Sequence, residues 1–215
     1  MWEHDLADWR WGGIDVNVRG VIHGIKAFVP ILLEQGEGHV VNTCSGNGGG
    51  FAPIARGAMG GPATAVYPMT KAAVLCLTES LYTHLEMTGT GVRAHVLFPG
   101  GFLNTGIWES WRHRPQQYAA TQERRTPDQT LARVVDRFES AGVHIEFTPL
   151  ETVAEQVVEG IRADRFWMMG GPPAPSDDVV SKKKAASIIT RGEPDYLVDV
   201  LGKSAAKTAA TEGGK

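Results

Sequence analysis
Apolar residues recur at helical intervals through Val18, Val21, Ile22, Ile25, Phe28, Val29 and Leu32, which predicts an amphipathic helix from Val18 to Gln35. Pro30 falls inside it and is expected to kink or shorten it. Gly36 to Gly38 break the pattern, and His39-Val40-Val41-Asn42-Thr43 changes to a β-branched run that reads as a short buried strand. Residues 46 to 64 are rich in glycine and proline and predict a long connection. Helical spacing then returns from Tyr67 to Met87 through Val74, Leu77, Leu81 and Leu85. Gly89 and Gly91 close that helix, and Val92 to Phe98 reads as a second strand ending on Pro99-Gly100-Gly101. Strands alternating with helices predict a parallel α/β sheet.

Further along, Thr126-Pro127-Asp128-Gln129 and Thr148-Pro149-Leu150-Glu151 each offer an N-cap hydroxyl, a proline at the first helical position and Gln or Glu three residues on. Two more helices are expected there, carrying Leu131, Val134, Val135 and Phe138 on one and Val153, Val157 and Ile161 on the other. Phe166-Trp167-Met168-Met169 reads as a final short strand. Residues 203 to 215 hold too few apolar groups to offset the entropy of ordering, so a disordered tail is expected behind a single domain spanning 1 to 202.

Charge and composition narrow the partners. With 21 Lys+Arg against 24 Asp+Glu and no basic stripe, a nucleic-acid partner is not expected. The acidic start Met1-Trp2-Glu3-His4-Asp5 is unlike a signal peptide, and His23, Lys26 and Pro30 interrupt the most apolar stretch, so no membrane span and a cytoplasmic location are expected. Cys44 and Cys76 read as two reduced, buried thiols. The seven histidines show no paired spacing, so no metal site is predicted.

Tyr67 and Lys71 lie four residues apart on one helical face, where an ammonium can favour the ionised form of a phenol. Such a phenol can serve as acid or base toward an alcohol or ketone. Ser45, at the end of the predicted strand, could hydrogen-bond the same oxygen. Each feature also has a bland explanation: Tyr and Lys at this spacing commonly pack and snorkel, serine starts turns, and Asn17 could cap the helix that follows it.

Order strengthens the reading. Asp15-Val16-Asn17-Val18-Arg19-Gly20, Gly38 to Ser45, Tyr67-Pro68-Met69-Thr70-Lys71-Ala72-Ala73 and Val96-Leu97-Phe98-Pro99-Gly100 together resemble the short-chain dehydrogenase/reductase family over about residues 2 to 109. The resemblance implies the C-terminal portion of a Rossmann-like, doubly wound parallel sheet in three α/β/α layers. It implies Tyr67 as general acid/base, Ser45 orienting the substrate oxygen, Lys71 lowering the tyrosine pKa and holding the nicotinamide ribose, and Asn17 holding a relay water. Pro99 and Gly100 would line the nicotinamide of NAD or NADP, with Thr105 bonding its carboxamide or phosphate. A small-molecule alcohol or carbonyl is the implied substrate, and residues 102 to 125, with Trp108, Trp111, His113 and Tyr118, fall where the family places its lid. These aromatics could equally cover the core or a partner subunit. The two long helices resemble those of the family's dimer interface, so a homodimer or homotetramer is implied.

Three departures qualify the match. The connection between Ser45 and Tyr67 is longer than usual, and Thr105 stands one residue further from Pro99 than expected. No glycine-rich turn follows a first strand, and Gly46-Asn47-Gly48 is no substitute, since Phe51 stands where G-x-G-x-x-G needs its third glycine. A truncated dehydrogenase is therefore expected, with a shortened paralogue as the rival. A non-catalytic Rossmann-like fragment acting as a dimerisation or interaction module is the alternative function.

Overall fold
A computed structural model describes residues 6–46, 66–100, 102–118, 130–140, 146–170 and 175–192. The predicted 46–64 connection beyond residue 46, the Thr126 helix start and the 203–215 tail lie outside them. Three parallel strands, β1 (Glu37–Thr43), β2 (Gly91–Phe98) and β3 (Trp167–Met169), form one sheet in the order β1-β2-β3. Val40 pairs with Ala94, Asn42 with Val96, and Leu97 with Met168. Successive side chains of a strand point to opposite faces. One face therefore carries Val40, Asn42, Ala94, Val96 and Phe98, and the other His39, Val41, Thr43, His95 and Leu97.

Helices α1 (Arg19–Gln35) and α2 (Val66–Thr88) cover the first face. Val29 of α1 and Leu85 of α2 are buried with Val92 and Ala94, while Ile25, Leu32, Val40 and Leu81 pack around them. This is the stripe that the apolar spacing predicts, and α1 runs through Pro30 without a break. Helix α3 spans Leu131–Ser140, and α4 (Leu150–Arg162) lies on the opposite face, where Gly160 lets Met168 approach closely. Helices on both faces of a parallel sheet make a three-layer α/β/α unit of Rossmann type. A further helix, α5 (Pro175–Thr190), was not foreseen from the sequence.

Two boundaries correct the sequence reading. Asn17 is not a helix cap, because a π-helix (Asp8–Val18) runs directly into α1. Thr148 gives no capping bond either: Pro149, at ψ 135°, occupies the cap itself, so α4 starts one residue late. The joined run Trp9–Gln35 is long and apolar enough by length and composition to cross a bilayer. Ile25, Val29 and Leu32 nevertheless pack against the sheet, which makes α1 a layer of the α/β unit.

Candidate active site
The carboxyl ends of β1 and β2 gather the residues that the sequence singled out. Ser45 stands two residues beyond the end of β1, and its hydroxyl is hydrogen-bonded to the phenol of Tyr67 in the first turn of α2. One turn on, the Lys71 ammonium lies 5.6 Å from the Tyr67 ring centre and donates to the Thr43 carbonyl at 3.0 Å. Asn17 joins them from the π-helix by donating its amide to Thr70 Oγ1 at 3.0 Å, and that hydroxyl donates to the Tyr67 carbonyl at 2.8 Å. Gly13 makes this docking close, since a Cβ there would sit 2.5 Å from Val66 Cγ1 of α2. Thr70 was missed in the sequence, although its place three residues after Tyr67 puts it on the same helical face.

Burial sets the electrostatics. It pushes the Tyr67 phenol above its ordinary value, partly offset by the Ser45 hydrogen bond, and pushes the Lys71 ammonium below its own. The expectation that Lys71 lowers the tyrosine pKa is therefore not met in the chain by itself: the ammonium is engaged by Thr43, and desolvation dominates the phenol. Beneath the site, Cys44 is buried and donates to the Lys71 carbonyl at 3.2 Å; burial raises its pKa. Cys76 is exposed, correcting the reading of two buried thiols.

Pro99 and Gly100 are wedged against the end of β3. Gly100 has φ +104°, and the Gly170 N–H donates to the Phe98 carbonyl at 2.6 Å. Thr105 is exposed, and its hydroxyl accepts a long 3.4 Å bond from Ile107 N at the start of a short 3₁₀ helix (Gly106–His113). Trp108 Nε1 donates to the Leu103 carbonyl at 2.8 Å, and the Tyr118 hydroxyl donates to Asp15 Oδ2 at 3.1 Å, so both aromatics are anchored to the chain's own π-helix or loop.

An open groove of about 510 Å³ runs along the outer edge of β1 past Asn17, Thr43 and Lys71. The Lys71 ammonium has three protons and gives one to Thr43, leaving two donors for hydroxyls of the kind a ribose presents. These residues fit the nicotinamide-ribose end of a dinucleotide; no G-x-G-x-x-G motif for a pyrophosphate occurs in the 215-residue sequence.

A family model described as short chain dehydrogenase matches residues 2–116. A short-chain dehydrogenase/reductase from Burkholderia phymatum, solved with NAD, superposes with a TM-score of 0.69 at 30% identity, over 90% of this chain and 63% of that one. An uncharacterized oxidoreductase of Staphylococcus epidermidis is 39% identical over 87 residues, 40% of this chain and 33% of its own length. Another, from Listeria monocytogenes, is 32% identical over 142 residues, 63% of this chain and 53% of its own. The chain thus spans between a third and about half of these curated relatives. The model match covers more than half of the chain: this protein belongs to the short-chain dehydrogenase family.

Proposed function
We propose that this chain carries the proton-transfer side of an NAD(P)-dependent oxidoreductase that interconverts a secondary alcohol and a carbonyl. The observation that carries the reading is the Ser45–Tyr67 hydrogen bond with the Lys71 ammonium one turn away. Ser45 orients the substrate oxygen beside the phenol, and Tyr67 gives it a proton in reduction or takes one in oxidation. Lys71 and Tyr67 hold the nicotinamide ribose, with Pro99, Gly100 and Thr105 toward the nicotinamide; bound NAD(H) or NADP(H) supplies the hydride. Asn17 acts through Thr70, fixing the first turn of α2 on which Tyr67 stands.

Burial keeps Tyr67 protonated at neutral pH. Carbonyl reduction, which consumes the phenol's proton, is therefore favoured near neutrality, and alcohol oxidation is expected to rise as pH increases. The support from relatives is their naming as oxidoreductases and the NAD in the Burkholderia phymatum structure. The test is titration of the purified chain with NADH and with NADPH, following nicotinamide fluorescence and melting temperature. Saturable binding with a rise in melting temperature supports the reading, and Tyr67→Phe should then still bind through Lys71, more weakly by the lost ribose contact, while losing about 10²–10⁴-fold in turnover. A folded chain that binds neither nucleotide would remove the reading for this chain.

A further inference from the structure
On the sheet face opposite α1 and α2, three residues from distant parts of the chain converge. His39 Nδ1 and His95 Nε2 are 2.8 Å apart, and the Asp164 carboxylate lies with them, all three ligand atoms within 4.8 Å of one another. We infer that His39, His95 and Asp164 form a three-ligand site for a borderline divalent transition ion of the Zn²⁺ type, with water completing the coordination. Imidazole and carboxylate are the donors such an ion takes, and three protein ligands leave a position open.

The arrangement is oriented from behind. His95 is buried, and its Nδ1 lies 2.8 Å from the Arg165 carbonyl, which can only accept; Nδ1 therefore carries the proton and Nε2 presents its lone pair outward. A backbone carbonyl holding the far nitrogen is the usual support of a metal-bound histidine. His39 is exposed, which gives the ion a path in. Asp164 stands just after α4 in the left-handed region, at φ +49°, where Arg93 Nε holds Oδ2 at 3.0 Å. Its Oδ1 takes no hydrogen bond from the described residues. Arg93 also pairs with Glu86 at 3.2 Å, so its positive charge is shared between two carboxylates.

With bonds of about 2.0–2.1 Å, tetrahedral donors sit roughly 3.3 Å apart. The two imidazoles need to part by about half an ångström and the carboxylate to swing inward, motions available to exposed His39 and Asp164. The site is separate from Tyr67: His39 lies four residues before Thr43 on β1, about 13 Å along the strand. An ion there would tie β1, β2 and the turn into β3 together.

The test uses the untagged full chain in a Cys76→Ser background, to remove the exposed thiol as a ligand. Zn²⁺ affinity is measured by calorimetry, and Co²⁺ by its visible absorption. One ion per chain, four-coordinate Co²⁺ bands and a loss of at least about tenfold in affinity in both His39→Ala and Asp164→Asn are expected. Both residues are exposed, so neither variant depends on refolding a core; His23→Ala, an exposed histidine elsewhere, should bind as the parent does. Unchanged affinity in His39→Ala or in Asp164→Asn, or no saturable binding by the folded parent, would overturn the assignment and leave the histidines as a simple hydrogen-bonded pair.

Discussion

Gly100→Ala should be among the most damaging small substitutions in this chain, and its cost follows from two separate geometric facts. Gly100 has φ +104°, a backbone conformation that disfavours any side chain by about 1–3 kcal/mol. A Cβ built there overlaps the Gly170 carbonyl oxygen and comes within 3.2 Å of Thr148 Oγ1. Gly170 has little freedom to retreat, because its N–H is bonded to the Phe98 carbonyl at the end of β2 and it lies so close to Pro99 that a Cβ built on it would sit 2.5 Å from the Pro99 carbonyl oxygen. Overpacking of this kind adds about 1–3 kcal/mol. The two together give an expected loss of about 2–6 kcal/mol, which for a chain of this size is a fall of roughly 4–24 °C in melting temperature. Urea unfolding of the parent and of Gly100→Ala measures it, with Gly106→Ala as the control, since a Cβ at 106 meets nothing within 4 Å. A loss below about 1 kcal/mol with the control unchanged would mean that the turn after β2 is free to rearrange, and the wedge between Pro99-Gly100 and Gly170 would not be what shapes this end of the sheet.

Other outcomes follow from the same contacts. Gly160→Ala should cost less than Gly100→Ala, about 1 kcal/mol by unfolding, because its Cβ would press on the flexible Met168 side chain at 2.8 Å and not on backbone. At pH 8, iodoacetamide should label Cys76 rapidly and Cys44 only on unfolding, read by mass spectrometry, because burial both shields the Cys44 thiol and holds its pKa up. Tyr67 has a folded pKa above its unfolded value of 10.0, so its contribution to stability is complete below that value and is lost as pH rises through the folded pKa. Between about pH 9 and 11 the urea midpoint of Tyr67→Phe should therefore fall less steeply than the parent's. Lys71, depressed below 10.5, acts with the opposite sign in both proteins and cancels in the comparison.

Much of this fold is legible because its signals are local. The strand His39 to Thr43 and the run Val92 to Phe98 are β-branched stretches between glycines, and they appear as β1 and β2 with each end extended by at most two residues. The four candidate residues Asn17, Ser45, Tyr67 and Lys71, which the fold brings together, were legible by type and order. What escaped the sequence depends on contacts between distant residues. Asn17 looked like a cap because it stands directly before the apolar helical run that opens at Val18; in the fold Gly13 is the point where a preceding π-helix meets Val66, and that helix runs through Asn17 into α1. Cys76 was read as a buried thiol because no second cysteine stands at metal-ligand spacing from it. Val74 and Thr78 take the buried face of α2, and a position two residues from each falls on the far side. The pairing of His39 with His95 leaves no motif, since it is made by the register of β1 on β2 across 56 residues.

The outer edge of β1 poses a question that one glycine can answer. α1 carries Gly20 and Gly24 on the wall of the groove beside that edge, and a Cβ added at either meets nothing within 4 Å. Glycine inside a helix costs about 0.5–1 kcal/mol relative to alanine. If the groove is open in solution, Gly24→Ala should raise stability by about that amount, with no dependence on protein concentration. A loss of stability would require something to occupy the space that the Cβ enters. If the loss grows with protein concentration, that occupant is a second copy of the chain, consistent with the exposed Phe28 and Ile31 nearby on α1. A loss independent of concentration would place an intrachain segment in the groove, next to Lys71 and Asn17, where it would share the site with the nicotinamide ribose. The sign of one substitution thus decides whether the wall beside Tyr67 is complete in this chain or is closed by another surface.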